Sequence, residues 1–165
     1  MDPLEDVSIR PAERADVLAV FRIERAVFPQ PWPFAAFENC LDAPAFLVAE
    51  RDDGAILGYV VGDVMPNHGR DIGHVKDLAV APDAQGRGLG RALLTRALAR
   101  FAAAGVALTK LEVRDTNEAA LGLYRDTGFE VMRRVPRYYQ DGEDALVMVL
   151  DVPAWRERRR DQSGE

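Results

Sequence analysis

The stretch "DLAVAPDAQGRGLGRALLTRALARF", Asp77–Phe101, decides how the rest of the chain is read. Its apolar start is strand-like, Gly86, Gly88 and Gly90 follow, and a helical pattern runs from about Gly88 to Ala104, with Gly105 as C-cap. Two familiar phosphate loops do not fit. No Lys-Ser/Thr follows the glycines, which excludes the nucleoside triphosphate loop, and their spacing is not that of the dinucleotide fingerprint. The pattern present is Gln85-x-x-Gly88-x-Gly90 between a strand and a helix. Glycines there let the backbone approach a ligand closely, and free N–H groups at a helix start attract an anion, so a pyrophosphate would suit the place. Taken alone, the same glycines could serve only to turn the chain.

Working outward, Val7–Arg10 reads as a short strand and Ala15–Phe28 as a helix with apolar residues at Val17, Leu18, Phe21, Val27 and Phe28. "FPQPWPF" carries three prolines and cannot be helix interior. Two strands flank the turn Asp52-Asp53-Gly54, and "HVKDLAV" and "KLEVR" lie before and after the glycine loop and its helix. Asn117 then opens a helix through Tyr124 that stops at Gly128, and "FEVMRRV" and "DALVMVL" close the chain. The fold class is α+β with one local parallel crossover. We expect a flexible segment at 1–6, one domain over 7–152, and a charged, frayed tail at 153–165.

Composition narrows the function. The 165 residues are 48% hydrophobic and 29% charged, enough for one domain with a substantial core. The net charge of −6, with basic residues spread along the chain, disfavours nucleic acid as a principal partner. A single cysteine, Cys40, excludes an intramolecular disulfide and a cysteine metal cluster, and two histidines make a structural zinc site an unpromising reading. The acidic start lacks the order of a signal peptide, and no apolar run approaches a membrane span, so the expectation is a soluble cytoplasmic protein without metal or membrane partner.

With the Gln85–Gly90 loop, "LEVRDTNEAALGLYRDTGFE" and "YYQDGEDALVM", the chain resembles the GCN5-related N-acetyltransferases from "SIRPA" to "VMVLDV", and among them the RimI and archaeal NatA protein N-terminal acetyltransferases. The resemblance implies a single acetyltransferase domain: a mixed, mostly antiparallel sheet with a parallel, splayed pair at the acetyl-coenzyme A site, flanked by about four helices. It implies acetyl-coenzyme A as cosubstrate, held by Gln85, Gly86, Arg87, Gly88, Leu89, Gly90 and Arg91, by Leu78, Ala79 and Val80 along the strand edge, and by Asn117 and Tyr124. Asn117 reads equally as a plain N-cap.

Amide formation needs a neutral amine, and at neutral pH deprotonation costs about 1 kcal/mol for a protein α-amine against about 4–5 kcal/mol for lysine. In "KLEVR" the alternation places Leu111 and Val113 on one face and Lys110, Glu112 and Arg114 on the other. Residue type alone makes Glu112 a solvated strand carboxylate. The resemblance makes it the general base, acting through a water, with His74 as a candidate to share the role, and makes Tyr124 the general acid for the leaving thiolate. Tyr124 also fits as a core tyrosine beside Leu121 and Leu123. By the resemblance, Phe28, Pro29 and Trp32 of the "FPQPW" segment, with Tyr138 and Tyr139, would flank the substrate N-terminus, and Glu24, on the helix just before, would help hold the cationic amine or the loop. Phe28 and Trp32 serve equally as core plugs.

The loop Phe28-Pro29-Gln30-Pro31-Trp32 is nearer the RimI form, whereas His74 and "YYQDGEDA" lean towards archaeal NatA, which leaves the preferred first residue of the substrate open. The acceptors implied are protein N-termini, ribosomal proteins being one candidate class, with an auxiliary or ribosomal partner and the oligomeric state left open. Lysine or small-amine acetylation and non-catalytic sensing of acetyl-coenzyme A are the alternatives.

Overall fold

The turn at Asp52–Gly54 does join two strands: Gly54 takes a φ of +90°, a left-handed conformation that glycine adopts without strain, between β2 (Ala45–Arg51) and β3 (Ile56–Met65). The structure is a computed structural model, and it describes residues 4–163. The other strands are β1 (Val7–Pro11), β4 (Ile72–Val80), β5 (Leu108–Arg114), β6 (Glu130–Val135) and β7 (Ala145–Asp151). One seven-stranded sheet takes the order β1-β2-β3-β4-β5-β7-β6. The pairs β1/β2, β2/β3, β5/β7 and β6/β7 are antiparallel, whereas β4/β5 is parallel and in register from Ile72↔Leu108 to Val75↔Leu111. The expected α+β class, mostly antiparallel with one parallel pair, is observed.

Among the described residues five α-helices accompany the sheet, against about four expected: α1 (Val17–Val27), α2 (Phe34–Glu38), α3 (Leu89–Ala103), α4 (Glu118–Thr127) and α5 (Val152–Ser163). The chain divides into two compact units, residues up to 63 with 77–100, and residues 64–76 with 101–165.

In the first unit α1 turns Val17, Val20 and Ile23 inward against Phe46, Val48, Tyr59 and Val61. Phe37 of the unanticipated α2 is fully buried, with its ring centroid 5.3 Å from Trp32 and 5.6 Å from Tyr59. Phe28 and Trp32 pack partly buried on the same core, as plugs at the two ends of the proline loop. α3 buries Leu89, Leu93, Leu94, Ala97 and Leu98, an i, i+4, i+5 stripe. Gly58 lets β3 come close to β4: a Cβ there would sit 2.9 Å from the Ala79 carbonyl oxygen. The expected flexible start is corrected in part. Leu4–Asp6 form a turn in which Asp6 pairs with Arg87 at 2.8 Å and its carbonyl accepts from Asp52 N at 2.9 Å, while residues 1–3 lie outside the described residues.

In the second unit β5 alternates as read, Leu111 and Val113 inward, and pairs along its whole length with β7. Asn117 caps α4, its Oδ1 accepting from Ala120 N at 3.2 Å, and Gly128 ends it with a φ of +118°. The tail expected to fray from 153 instead forms α5. Asp151 Oδ1 accepts from Ala154 N at 2.9 Å at its start, and Val152 and Trp155, three residues apart, bury on one face. The charge run Arg156–Arg160 obscured that anchor, and residues 164–165 lie outside the described residues.

Candidate active site

The glycine loop forms as the sequence suggests. Gly86 and Gly88 hold φ of +84° and +87°, and a Cβ built on either would meet no atom within 4 Å, so the backbone borders open space. Gly88 O accepts from Ala92 N at 3.0 Å, which makes Gly88 the effective cap of α3, with the helix's first N–H groups beside the loop. Leu89 is buried, whereas Gln85 and Arg91 are exposed. Gln85 turns back, its Nε2 donating to Val80 O at 3.0 Å, and Arg87 is occupied by Asp6. Backbone of the loop and of the first helical turn therefore borders the open space, with the exposed Arg91 in that turn, a setting that suits an anion. Leu78 N, on the β4 edge, donates to Asp77 Oδ1 at 2.9 Å.

In the second unit Glu112 and His74 meet. Nε2 of His74 lies 2.9 Å from Glu112 Oε2, and Lys110 Nζ lies 3.6 Å from Glu112 Oε1. Burial raises the Glu112 carboxyl's pKa, but the His74 hydrogen bond, the His74 charge and Lys110 together outweigh it and hold the group below the usual carboxylate range. An ionised Glu112 has no proton to give, so it accepts from the Nε2–H of His74. Parallel pairing sets His74 opposite Lys110, and this register brings the two elements' polar side chains together.

Tyr138 and Tyr139 stand in the loop between β6 and β7, ring centroids 5.0 Å apart and nearly perpendicular. Tyr138 is exposed, and its pKa is raised by partial burial and then by the charge of Glu112, so the phenol lies within that carboxylate's field. Burial pushes the Tyr139 phenol up to about 12. Arg114 fastens this loop: its guanidinium stacks 4.0 Å over the Tyr139 ring and reaches Asp141 at 2.7 Å and Glu143 at 2.9 Å. Tyr124 is 8% exposed, its ring edge-on to Phe129 at 5.8 Å. The N-cap reading of Asn117 is the one its side chain displays.

Glu24 is only 2% exposed. Its Oε2 accepts from Trp32 N at 2.9 Å and its Oε1 from the Tyr59 hydroxyl, so its carboxylate holds the 28–33 loop by the backbone. Pro29 is exposed on that loop. The Tyr59 hydroxyl also lies 3.3 Å from Asp77 Oδ2. Burial, and next the neighbouring Glu24, push the Asp77 carboxyl well above its ordinary range. Sequence reading missed Asp77, Tyr59 and Arg114. The available signals were an acid inside the apolar "DLAV" strand and an arginine two residues after Glu112.

The model of the acetyltransferase (GNAT) family matches residues 17–129. The chain is 39% identical over 155 residues to the N-alpha-acetyltransferase RimI of Mycobacterium tuberculosis, covering 89% of this chain and 94% of that protein. It is 32% identical over 160 residues to an N-alpha-acetyltransferase of Sulfurisphaera tokodaii, covering 90% and 95%. Among solved structures, the ribosomal-protein-S18-alanine N-acetyltransferase from Escherichia coli superposes with a TM-score of 0.78 at 30% identity, over 88% of this chain and 94% of that one.

Proposed function

The chain belongs to the acetyltransferase (GNAT) family, and from that premise we infer that it transfers acetyl from acetyl-coenzyme A to the α-amine of protein N-termini. The observation that carries the reading is the His74–Glu112 pair at 2.9 Å, a partly buried carboxylate kept ionised beside an imidazole and within range of an exposed tyrosine. Such a pair can take one proton from an α-ammonium group, which costs about 1 kcal/mol at neutral pH, whereas a lysine would ask for about 4–5 kcal/mol.

Acetyl-coenzyme A supplies the acetyl group as an activated thioester. The backbone of Gly86, Gly88 and the first turn of α3 would hold its pyrophosphate, and the β4 edge at Leu78, Ala79 and Val80 its arm. Glu112, with His74, receives the amine proton through a water. Tyr124 Oη holds the proton that a departing thiolate requires. The loop from Phe28 to Trp32 would border the acceptor peptide, as the resemblance implies, and the hydroxyls of Tyr138 and Tyr139 can bond a peptide backbone. The acceptor we favour is a ribosomal-protein N-terminus beginning with alanine, the substrate named for the Escherichia coli relative, in the cytoplasm.

The test is coenzyme A release with acetyl-coenzyme A and a panel of peptides varied at their first two residues, each beside an α-blocked copy containing lysine. Turnover with free N-termini and none with blocked copies is expected, with Ala and Ser starts ahead of Met. Turnover with the blocked lysine copies alone would overturn the N-terminal reading.

A further inference from the structure

Glu24, Tyr59 and Asp77 come from α1, β3 and β4 and meet inside the first unit. Their two carboxyl groups present four oxygens. Two are met by backbone donors, Glu24 Oε2 by Trp32 N and Asp77 Oδ1 by Leu78 N, both at 2.9 Å. The other two, Glu24 Oε1 and Asp77 Oδ2, flank the single hydroxyl of Tyr59. Tyr59 is 0% and Glu24 2% exposed, whereas Asp77 is half-buried, so water does not reach the hydroxyl that lies between the two acids.

A phenol has one proton to give. With both acids ionised, it would satisfy one carboxylate and turn a lone pair towards the other, with two negative charges in a desolvated place. One further proton removes the conflict. Placed on Asp77 Oδ2, it is donated to the Tyr59 oxygen while the Tyr59 proton goes to Glu24 Oε1. The run then reads Leu78 N–H to Asp77, Asp77 O–H to Tyr59, Tyr59 O–H to Glu24, with Trp32 N–H meeting the same carboxylate from the far side. Each proton in it then has an acceptor, and the two acids, which also share a side-chain hydrogen bond, no longer oppose two negative charges. The upward push on the Asp77 carboxyl, from burial and from Glu24, agrees with that placement.

We propose that Asp77 is a positioning residue that works as a neutral acid, holding through Tyr59 and Glu24 the backbone of Trp32 and so the shape of the 28–33 loop that borders the acceptor peptide. The proposal rests on the acyl-transfer reading for its kinetic consequence, and not for the protonation state.

Its test uses the full chain with Asp77→Asn and Asp77→Ala. Asparagine is neutral, donates through Nδ2 and accepts through Oδ1, so it replaces a protonated aspartate and not an ionised one. Asp77→Asn should keep the wild-type KM for peptide. Asp77→Ala should raise that KM about 5- to 100-fold, as expected for a buried group left unpaired, with kcat and the KM for acetyl-coenzyme A unchanged. Tyr59→Phe, which breaks the run without opening a cavity, should behave like Asp77→Ala and covers the case in which that variant does not fold. The infrared difference between wild type and Asp77→Asn at neutral pH should contain the C=O stretch of a protonated carboxylic acid. Absence of that band, or an Asp77→Asn as impaired as Tyr59→Phe, overturns the proposal. A present band in a protein that acetylates no amine upholds the neutral acid and sinks the acyl-transfer reading instead.

Discussion

Replacing Glu112 by Gln removes a charge and a proton acceptor while keeping shape. The amide oxygen can still accept from His74 Nε2–H across the 2.9 Å separation, and Lys110, 3.6 Å from the other oxygen, loses only a partly exposed partner. The variant should therefore stay folded at neutral pH, and its loss of activity reports chemistry. A positioned general base contributes about 10²–10⁴ in rate, so kcat/KM should fall at least about 100-fold near pH 7, or about 2.7 kcal/mol of transition-state stabilisation. The pH dependence sharpens the claim. With an α-amine pKa near 8, about a tenth of the acceptor is neutral at pH 7 and about nine-tenths at pH 9. The deficit should then narrow by about tenfold across that range as solvent does the deprotonation instead. The assay is coenzyme A release at saturating acetyl-coenzyme A, with cofactor affinity checked by calorimetry. A deficit that stays flat from pH 6 to 9 would show Glu112 positioning groups without accepting the proton, and a variant as active as wild type would refute its part in the reaction. In the fold, an ionised Glu112 held below the usual carboxylate range adds stability above that range and loses it as pH falls through its lowered value. The melting difference between wild type and Glu112→Gln should shrink in acid.

Gly58→Ala sets a Cβ 2.9 Å from the Ala79 carbonyl oxygen and 3.2 Å from Leu93, and because the nearer atom is backbone the strands must part. We expect an overpacking cost of about 1–3 kcal/mol, a fall in Tm of about 2–12 °C by thermal melting; an unchanged Tm would mean the strands yield freely. Thr109 is 0% exposed and its Oγ1 has no hydrogen-bond partner among the described residues, so Thr109→Val should be neutral or stabilise by up to about 1 kcal/mol in denaturant unfolding. A clear loss would reveal a partner for that hydroxyl. Arg114→Lys keeps the charge but neither the forked bonds to Asp141 and Glu143 nor the stack on Tyr139. The KM for peptide should rise severalfold while that for acetyl-coenzyme A holds, and equal changes in both would count against a loop-specific role.

How much of this could be read in the chain depends on how far apart the partners are along it. Local signals sufficed for the Gly54 turn, the Asn117 and Gly128 caps, the Gly86–Gly88 loop and the alternation that set Glu112 on the polar face of β5, because each is decided within a few residues. The His74–Glu112 meeting needed a parallel pairing across a helix, and only the family resemblance supplied it beforehand. Where a local signal competed with a longer-range one, the local one misled. Four arginines in Arg156–Arg160 suggested a frayed tail, while Asp151 as cap and Trp155 as anchor made a helix. Asp77 shows the same limit in its chemistry, since nothing in "KDLAV" reveals that α1 and β3 deliver a carboxylate and a phenol to it.

Glu112 and Asp77 are both strand carboxyls, and their surroundings push them in opposite directions. His74 and Lys110 keep Glu112 ionised and able to accept a proton, whereas burial and Glu24 keep Asp77 neutral and able to donate one. Exchanging the charge states would disable both. A neutral Glu112 has no capacity to take the amine's proton, and an ionised Asp77 sets a second negative charge against Glu24 and frees the loop that Glu24 holds by Trp32 N. The two demands are met by different neighbours, so they can be broken one at a time. Glu112→Gln should lower kcat/KM and leave loop geometry alone, Tyr59→Phe should weaken peptide binding and leave the pH dependence of kcat alone, and in the double variant the two losses should multiply. Losses that fail to multiply would mean that the loop and the base depend on each other.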